Sequence, residues 1–77
     1  MKWKNSAREL YQISETGKAC EYYYIWRESA GKWRAGRYWL KREINFRLEF
    51  SSAKIARWYC EQYDKDLAST IIEGVTA

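Results

Sequence analysis

The segment at residues 21–40, EYYYIWRESAGKWRAGRYWL, constrains the fold more than any other part of the chain. It contains two runs of aromatic and apolar residues, at 21–27 and 33–40, and such runs are typical of β-strands. The sequence SAGK between them places a glycine late in a short polar break, as in hairpin loops. The segment therefore predicts two adjacent antiparallel strands.

The sequence after this segment predicts one more strand and a helix. Apolar and polar residues alternate in INFRLEF, which indicates a half-buried strand at about 44–50. Its apolar side chains are Ile44, Phe46, Leu48 and Phe50. Ser51 or Ser52 can cap a helix at about 52–68. Its apolar stripe consists of Ala53, Ala56, Tyr59, Cys60, Tyr63 and Leu67.

Three shorter segments complete the predicted fold. Residues 10–14 read as a strand, but Ser6 and Glu9 form a capping box, so a short helix at 6–14 is the alternative. The sequence KRE at 41–43 has no turn residue and predicts a wide bend, and the tail at 70–77 predicts a short docked strand or frayed end. The fold class is α+β: one domain, 1–77, with an antiparallel meander of three or four strands (about 10–14, 21–27, 33–40 and 44–50) against a C-terminal helix.

Composition argues against several functions. Two cysteines and no histidine fall short of a structural zinc site, and we expect no metal and no cofactor. Cys20 and Cys60 are predicted to be two buried thiols, with a disulfide as the alternative. Since no histidine, nucleophile motif or phosphate-binding glycine loop is present, we expect no enzyme. The charged N-terminus and the lack of a long apolar run predict a cytoplasmic protein.

Alternation of side chains along a strand predicts which residues of the two central strands point inward and which point outward. In strand 33–40, strict alternation would bury an arginine on either face, so a bulge at Gly36 and Arg37 is predicted. The inward residues would then be Trp33, Ala35, Tyr38 and Leu40. In strand 21–27, the predicted inward residues are Tyr22, Tyr24 and Trp26, and the predicted outward residues are Tyr23, Ile25 and Arg27.

These assignments predict a basic and aromatic binding surface. The net charge is +4, and five basic residues but no acidic residue lie between Lys32 and Arg42, which is typical of a phosphate-binding patch. Solubilising charge, or internal arginine–aromatic packing, is the alternative explanation. Trp58, on the polar side of the helix, either covers a loop or anchors a partner. The predicted binding residues are Tyr23, Arg27, Lys32, Arg34, Arg37, Trp39, Lys41, Arg47 and Trp58.

Three short motifs resemble the plant APETALA/ethylene-response DNA-binding domain and its homing-endonuclease relatives. They are Tyr22 with Ile25, then GKWRA from Gly31, then FSSAKIARWY from Phe50, and the likeness covers about residues 22–64. The resemblance implies a three-stranded sheet followed by a helix, with DNA read by the sheet. The family's DNA-reading positions hold Tyr23, Trp26, Glu28 and Ala30 here, so only the scaffold carries over.

Three functions compete at this point. The leading hypothesis is a small basic module that binds DNA or RNA, with arginines on phosphates and Trp39 and Tyr23 stacked on bases. The second is a phage-type inhibitor or adaptor that binds a host defence complex, such as a CRISPR assembly, through the same face. The third is a homodimer formed through that face.

Overall fold

A computed structural model of the chain describes residues 1–6 and 10–76. In this part of the chain, five antiparallel strands form one sheet in sequence order, and one helix follows. The strands are β1 (Trp3–Ser6), β2 (Tyr11–Ser14), β3 (Tyr22–Ser29), β4 (Lys32–Trp39) and β5 (Arg42–Asn45), and the helix is α1 (Ala53–Thr76). The α+β class is confirmed, with five strands rather than three or four. No helix in the described residues is long and apolar enough to cross a bilayer.

The N-terminal region adds a strand that the sequence pattern did not indicate. β1 pairs with β2, and Trp3 packs against the core while its indole N–H donates to Glu61 at 3.2 Å. Residues 11–14 are a strand, so the alternative helix at 6–14 is wrong there. Residues 7–9, including Glu9 of the predicted capping box, lie outside the described residues.

The hairpin of β3 and β4 is regular at Gly36, and the predicted bulge there is wrong. Tyr24 lies directly opposite Gly36, and the one irregularity in this ladder falls between Arg27 and Ser29. Regular pairing turns Arg37 toward the helix. This is tolerated because the guanidinium carbon lies 5.0 Å from the ring centre of Trp39 and 5.4 Å from that of Tyr63.

The connection between β4 and β5 is a tight turn, not the predicted wide bend. Leu40 and Lys41 both have positive φ angles, 52° and 62°, as a two-residue type I′ hairpin requires. β5 then ends at Asn45, so the predicted strand at 44–50 is cut short. Arg47 also has a positive φ of 59°, and its backbone N–H donates to Asn45 Oδ1 at 2.7 Å.

The chain returns to the sheet at Phe50 before it enters the helix. Phe50 and Trp33 exchange two backbone hydrogen bonds of 2.7 and 2.8 Å. Phe46 and Phe50 pack with the core, but Leu48 is exposed, so the four apolar residues of INFRLEF do not form one buried face.

The helix begins as predicted and extends further. Ser52 Oγ accepts the Ile55 backbone N–H at 3.2 Å, which confirms the predicted cap. The predicted apolar stripe packs against the sheet. The helix continues to Thr76, beyond the predicted end near 68, so residues 70–76 do not form a strand.

The core lies between this stripe and one face of the sheet. Tyr23, Ile25, Ala56 and Cys60 are fully buried in it. Cys20 is also buried, and neither cysteine is bonded to another, which confirms the prediction of two buried thiols. Burial raises the pKa of Cys60 to about 12.

Candidate binding face of the sheet

The sheet has one face under the helix and one face that no described helix or strand covers. Residues that lie directly opposite each other in antiparallel strands point to the same side of the sheet. Because Tyr23, Ile25 and Ala35 are buried in the core with α1, the alternating residues point away from it. We call this second side the open face. Register places the following side chains on it: Lys4, Tyr11, Ile13, Tyr22, Tyr24, Trp26, Lys32, Arg34, Tyr38, Glu43 and Asn45.

Five aromatic rings lie side by side on the open face. Tyr22 and Tyr38 are directly opposed, with ring centres 4.9 Å apart and planes 13° from parallel. Tyr24 lies 5.6 Å from Trp26 and 6.2 Å from Tyr11, with interplanar angles of 24° and 18°. We call these five rings the aromatic platform. Except for Tyr24, each of them is half-buried and therefore reaches solvent.

Gly36 determines the position of the central ring. A Cβ atom added at Gly36 would lie 2.5 Å from the Tyr24 hydroxyl oxygen and 2.6 Å from the Ile44 carbonyl oxygen. The phenol of Tyr24 therefore lies across β4 at the one position without a side chain. Glycine is needed here for a close approach and not for a bulge.

A shallow depression of about 560 Å³ lies beside the platform. It is lined by Tyr11, Tyr24, Trp26, Glu43 and Asn45. Burial, followed by the charge of Glu43, raises the pKa of Tyr24 to about 12, so its hydroxyl keeps its proton at neutral pH. Burial, with a further contribution from the Glu43 charge, also raises the pKa of Tyr11 and that of Tyr22.

The two polar residues of the depression offer complementary groups. Glu43 is exposed, and the two carboxylates that pair with Arg34 are Glu28 and Glu49. Asn45 Oδ1 accepts the Arg47 backbone N–H, so the amide NH₂ is the end available to a ligand. The depression therefore presents a double acceptor beside a donor.

Charge on the open face is nearly balanced. Arg34 donates to Glu28 and to Glu49, the latter at 3.2 Å, and the first bond lowers the pKa of Glu28. Lys4 and Lys32 are exposed on this face, Lys4 on the edge strand β1 and Lys32 at the start of β4. This surface can therefore supply about two phosphate contacts, fewer than the sequence analysis predicted.

Several of the predicted site residues are not on this face. Tyr23 was predicted to point outward, which is wrong: it is fully buried and its hydroxyl donates to Asp64 at 2.9 Å. Arg37, also predicted outward, is only 9% exposed, and its guanidinium donates to Cys20 Sγ at 3.3 Å. Trp39 is half-buried and packs against the core. Conversely, the three residues predicted to point inward from β3 lie on the open face: Tyr22, Tyr24 and Trp26.

The other predicted site residues are accessible but scattered. Arg27 lies near the end of β3 in register with Trp33, Lys41 lies in the β4–β5 turn, and Arg47 follows β5. Trp58 is 59% exposed on α1, away from the sheet. Lys32 and Arg34 are the two predicted residues that share a face with the platform. The remaining residues of this site were not among the predicted binding residues: Tyr11, Tyr22, Tyr24, Trp26, Tyr38, Glu43 and Asn45.

A second depression, of about 330 Å³, lies where the β2–β3 loop meets the helix. Its lining includes Gly17, Lys18, Glu61 and Asp64. The carboxylate of Asp64 is 2% exposed and already accepts the backbone N–H groups of Lys18 and Ala19 at 2.8 and 3.0 Å. Because these bonds hold the loop against the helix, we assign the residues of this depression a structural role and not a binding role.

Comparison with known proteins adds no constraint on this site. No protein-family model, no curated protein and no solved structure gives a significant match to the chain. The resemblance to the APETALA/ethylene-response domain stays a prediction based on its short motifs.

Proposed function

We propose that this protein is a small, non-enzymatic module that binds single-stranded DNA or RNA in the cytoplasm through the open face of its sheet. The observation that carries the proposal is the aromatic platform, five rings gathered on the uncovered side of the sheet. A base stacked on an aromatic side chain contributes about 1–3 kcal/mol, and single-stranded bases are commonly bound on sheet surfaces in this way.

Three features favour a single strand over a duplex. Stacking on the platform requires bases that are free of their own helix, which a duplex does not offer. The arginine on this face, Arg34, already binds two carboxylates, so it is poorly placed to read base edges in a groove. Lys4 and Lys32 leave only a modest contribution from phosphate neutralisation. Binding would therefore depend mainly on stacking.

A protein partner is the second candidate, and the acidic residues of the same face favour it. Glu43 lies on the open face and Glu28 pairs with Arg34 of that face, so both carboxylates would repel a phosphate backbone. Exposed tyrosine and tryptophan are also common at the energetic centres of protein interfaces. The protein would then be an inhibitor or adaptor, of the phage type, that binds a larger complex, or it would form a homodimer through this face.

A titration of labelled oligonucleotides by fluorescence anisotropy tests the proposal. Oligothymidine, oligouridine and a matched duplex would be titrated at two salt concentrations. We expect the single strands to bind more tightly than the duplex, with a log–log salt slope of about −1.4 for two phosphate contacts. If no oligonucleotide binds more tightly than about 0.1 mM at low salt, the nucleic-acid proposal is wrong and the protein-partner candidate replaces it.

Matched tryptophan variants locate the binding face. Trp26→Ala should weaken single-strand binding by about 5- to 150-fold, the equivalent of one lost stacking interaction, with little change in salt slope. Trp26→Phe keeps a ring and should retain most of the affinity. Trp58→Ala removes an exposed tryptophan from the helix, away from the sheet, and serves as the control. Equal losses for Trp26→Ala and Trp58→Ala would contradict the assignment of the site to the open face.

A further inference from the structure

The depression beside the aromatic platform has both the shape and the polar groups to discriminate between bases. Its three rings are close to parallel: the plane of Tyr24 lies 18° from that of Tyr11 and 24° from that of Trp26. Rings that enclose a quaternary ammonium group surround it from several directions. These near-parallel rings stack on one another, and a flat ligand can extend such a stack at an outer ring face.

The polar groups of the depression form a defined arrangement of hydrogen-bond acceptors and donors. The Glu43 carboxylate is an acceptor at both oxygens, and the Asn45 amide has its NH₂ group available because Arg47 holds its oxygen. A planar ligand that satisfies these groups must offer two adjacent N–H donors next to one acceptor. The neutral phenol of Tyr24 can add a further donor but no negative charge.

Among the nucleobases, guanine has this pattern on its Watson–Crick edge. Its N1–H and N2–H donors match the Glu43 carboxylate, and its O6 acceptor matches the Asn45 amide. Adenine and cytosine each place an acceptor beside their amino group, so one carboxylate oxygen would face a lone pair. Uracil and thymine have a single N–H between two carbonyl groups. An unpaired acceptor against a carboxylate is costly because neither group gains a hydrogen bond.

We propose that this depression selects a guanine base within a single-stranded nucleic acid. The base would stack on the ring of Tyr11 or Trp26, which are half-buried, while its Watson–Crick edge faces Glu43 and Asn45. The inference rests on the proposed function, since it specifies which base the open face prefers. The inference also gives the Glu43 carboxylate a role, since a negative charge would otherwise only weaken the attraction of this face for phosphate.

The test compares oligothymidine strands that carry one central guanine, adenine, cytosine or hypoxanthine. We expect the guanine strand to bind at least about tenfold more tightly than the adenine strand, the discrimination usual for a bidentate base contact. Hypoxanthine lacks the N2 amino group and should bind with intermediate affinity. Guanosine monophosphate, which lacks the strand, should displace the guanine oligonucleotide only at concentrations at least about tenfold above the oligonucleotide Kd.

Two conservative variants assign the preference to named groups. Glu43→Gln replaces one acceptor by a donor, and Asn45→Asp removes the NH₂ donor while it keeps an acceptor for Arg47. Each should bring the guanine and adenine strands to within about threefold of each other. Glu15→Gln removes the same charge from an exposed carboxylate outside the depression and should leave the preference unchanged.

The outcomes separate this inference from the proposed function. Equal binding of all four strands, or a preference that Glu43→Gln leaves intact, overturns the guanine inference and keeps single-strand binding. A uniform gain of affinity in Glu43→Gln shows only the loss of a repulsive charge, and it also overturns the inference. If guanosine monophosphate binds as tightly as the strand, the ligand is a free nucleotide and the strand assignment is wrong. If no strand binds at all, both proposals fail.

Discussion

Replacing Asp64 by asparagine should destabilise the protein strongly, although the two side chains are almost the same size. Asp64 is 2% exposed and accepts three hydrogen bonds. Oδ2 accepts the Lys18 backbone N–H at 2.8 Å, and Oδ1 accepts the Ala19 backbone N–H at 3.0 Å and the Tyr23 hydroxyl at 2.9 Å. Burial, and then side-chain hydrogen bonds with Cys20 and Asp64, raise the pKa of Tyr23, so its hydroxyl remains a donor to Asp64.

The expected loss follows from the donors that asparagine would face. Its one oxygen can keep the bonds from Ala19 and Tyr23, but its NH₂ group then points at the Lys18 N–H, donor against donor. One hydrogen bond to a charged group, about 1.5–3 kcal/mol, is lost, and the desolvation of the unpaired N–H adds about 1–3 kcal/mol. The free energy of unfolding should therefore fall by about 3–5 kcal/mol. A domain of 77 residues is stable by about 4–12 kcal/mol, so the variant should be marginal.

Urea unfolding followed by tryptophan fluorescence and circular dichroism measures this loss. Glu21→Gln, an exposed carboxylate at the end of the same loop, removes the same charge and should change the free energy of unfolding by less than about 0.5 kcal/mol. Tyr23→Phe completes a double-mutant cycle with Asp64→Asn, and the two changes should be coupled by about 0.5–3 kcal/mol. A loss below about 1 kcal/mol in Asp64→Asn, or additivity in the cycle, would refute the role given to this carboxylate.

Two further predictions concern the β4–β5 turn and the buried thiol. Leu40→Asn with Lys41→Gly should raise the free energy of unfolding by about 1–3 kcal/mol, because these residues suit the positive φ angles of the turn; an unchanged urea midpoint would contradict that turn type. Burial raises the pKa of Cys60 from 9.0 to about 12. The contribution of this thiol to the free energy of unfolding is therefore fully present below about pH 9. It falls by up to about 1.4 kcal/mol per pH unit between about pH 9 and 12. Cys60→Ala should reduce this slope when urea unfolding is measured at several pH values.

The helix and the fold class could be predicted because their signals are local. The apolar residues of α1 recur at helical spacing, and Ser52 stands at its start with the side chain that a cap needs. The two central strands could be predicted for a similar reason, since a glycine-containing break separates two aromatic runs. β1 lacked such a signal, because its place in the sheet depends on pairing with β2 and on the contact of Trp3 with Glu61, far along the chain.

The direction of the strand faces could not be predicted from alternation alone. Period two divides residues 22–26 into two sets but does not say which set is buried, and both sets here are aromatic or aliphatic. The decision depends on partners from other elements. Tyr23 is turned inward by Asp64 of the helix, and its backbone N–H donates to buried Ser14 at 2.6 Å. Tyr23 and Ile25 are therefore buried, and the candidate site lies on the alternate residues Tyr22, Tyr24 and Trp26.

The environment of Arg37 explains why the predicted bulge in β4 is wrong. The prediction of a bulge rested on the cost of burying an arginine. That cost is reduced by Trp39 two residues away, but also by Cys20 and Tyr63, which approach Arg37 only in the folded chain. Because Nε of Arg37 has no hydrogen-bond partner within the described residues, the compensation is incomplete. A sequence pattern cannot show how far contacts formed only in the folded chain offset the cost of burying an arginine.

Gly36 connects this error to the proposed function. Its position was identified as unusual from the sequence, but the reason lies in the ring of Tyr24, which crosses β4 where no side chain stands. A side chain at Gly36 would clash with the Tyr24 hydroxyl and with the Ile44 carbonyl oxygen, so the ring could not keep its place across β4. The absence of one Cβ atom thus allows the ring to cross β4 beside the depression while the strand pairing stays regular. The same glycine therefore accounts for the unbroken ladder that turns Arg37 inward and for the open site on the opposite face.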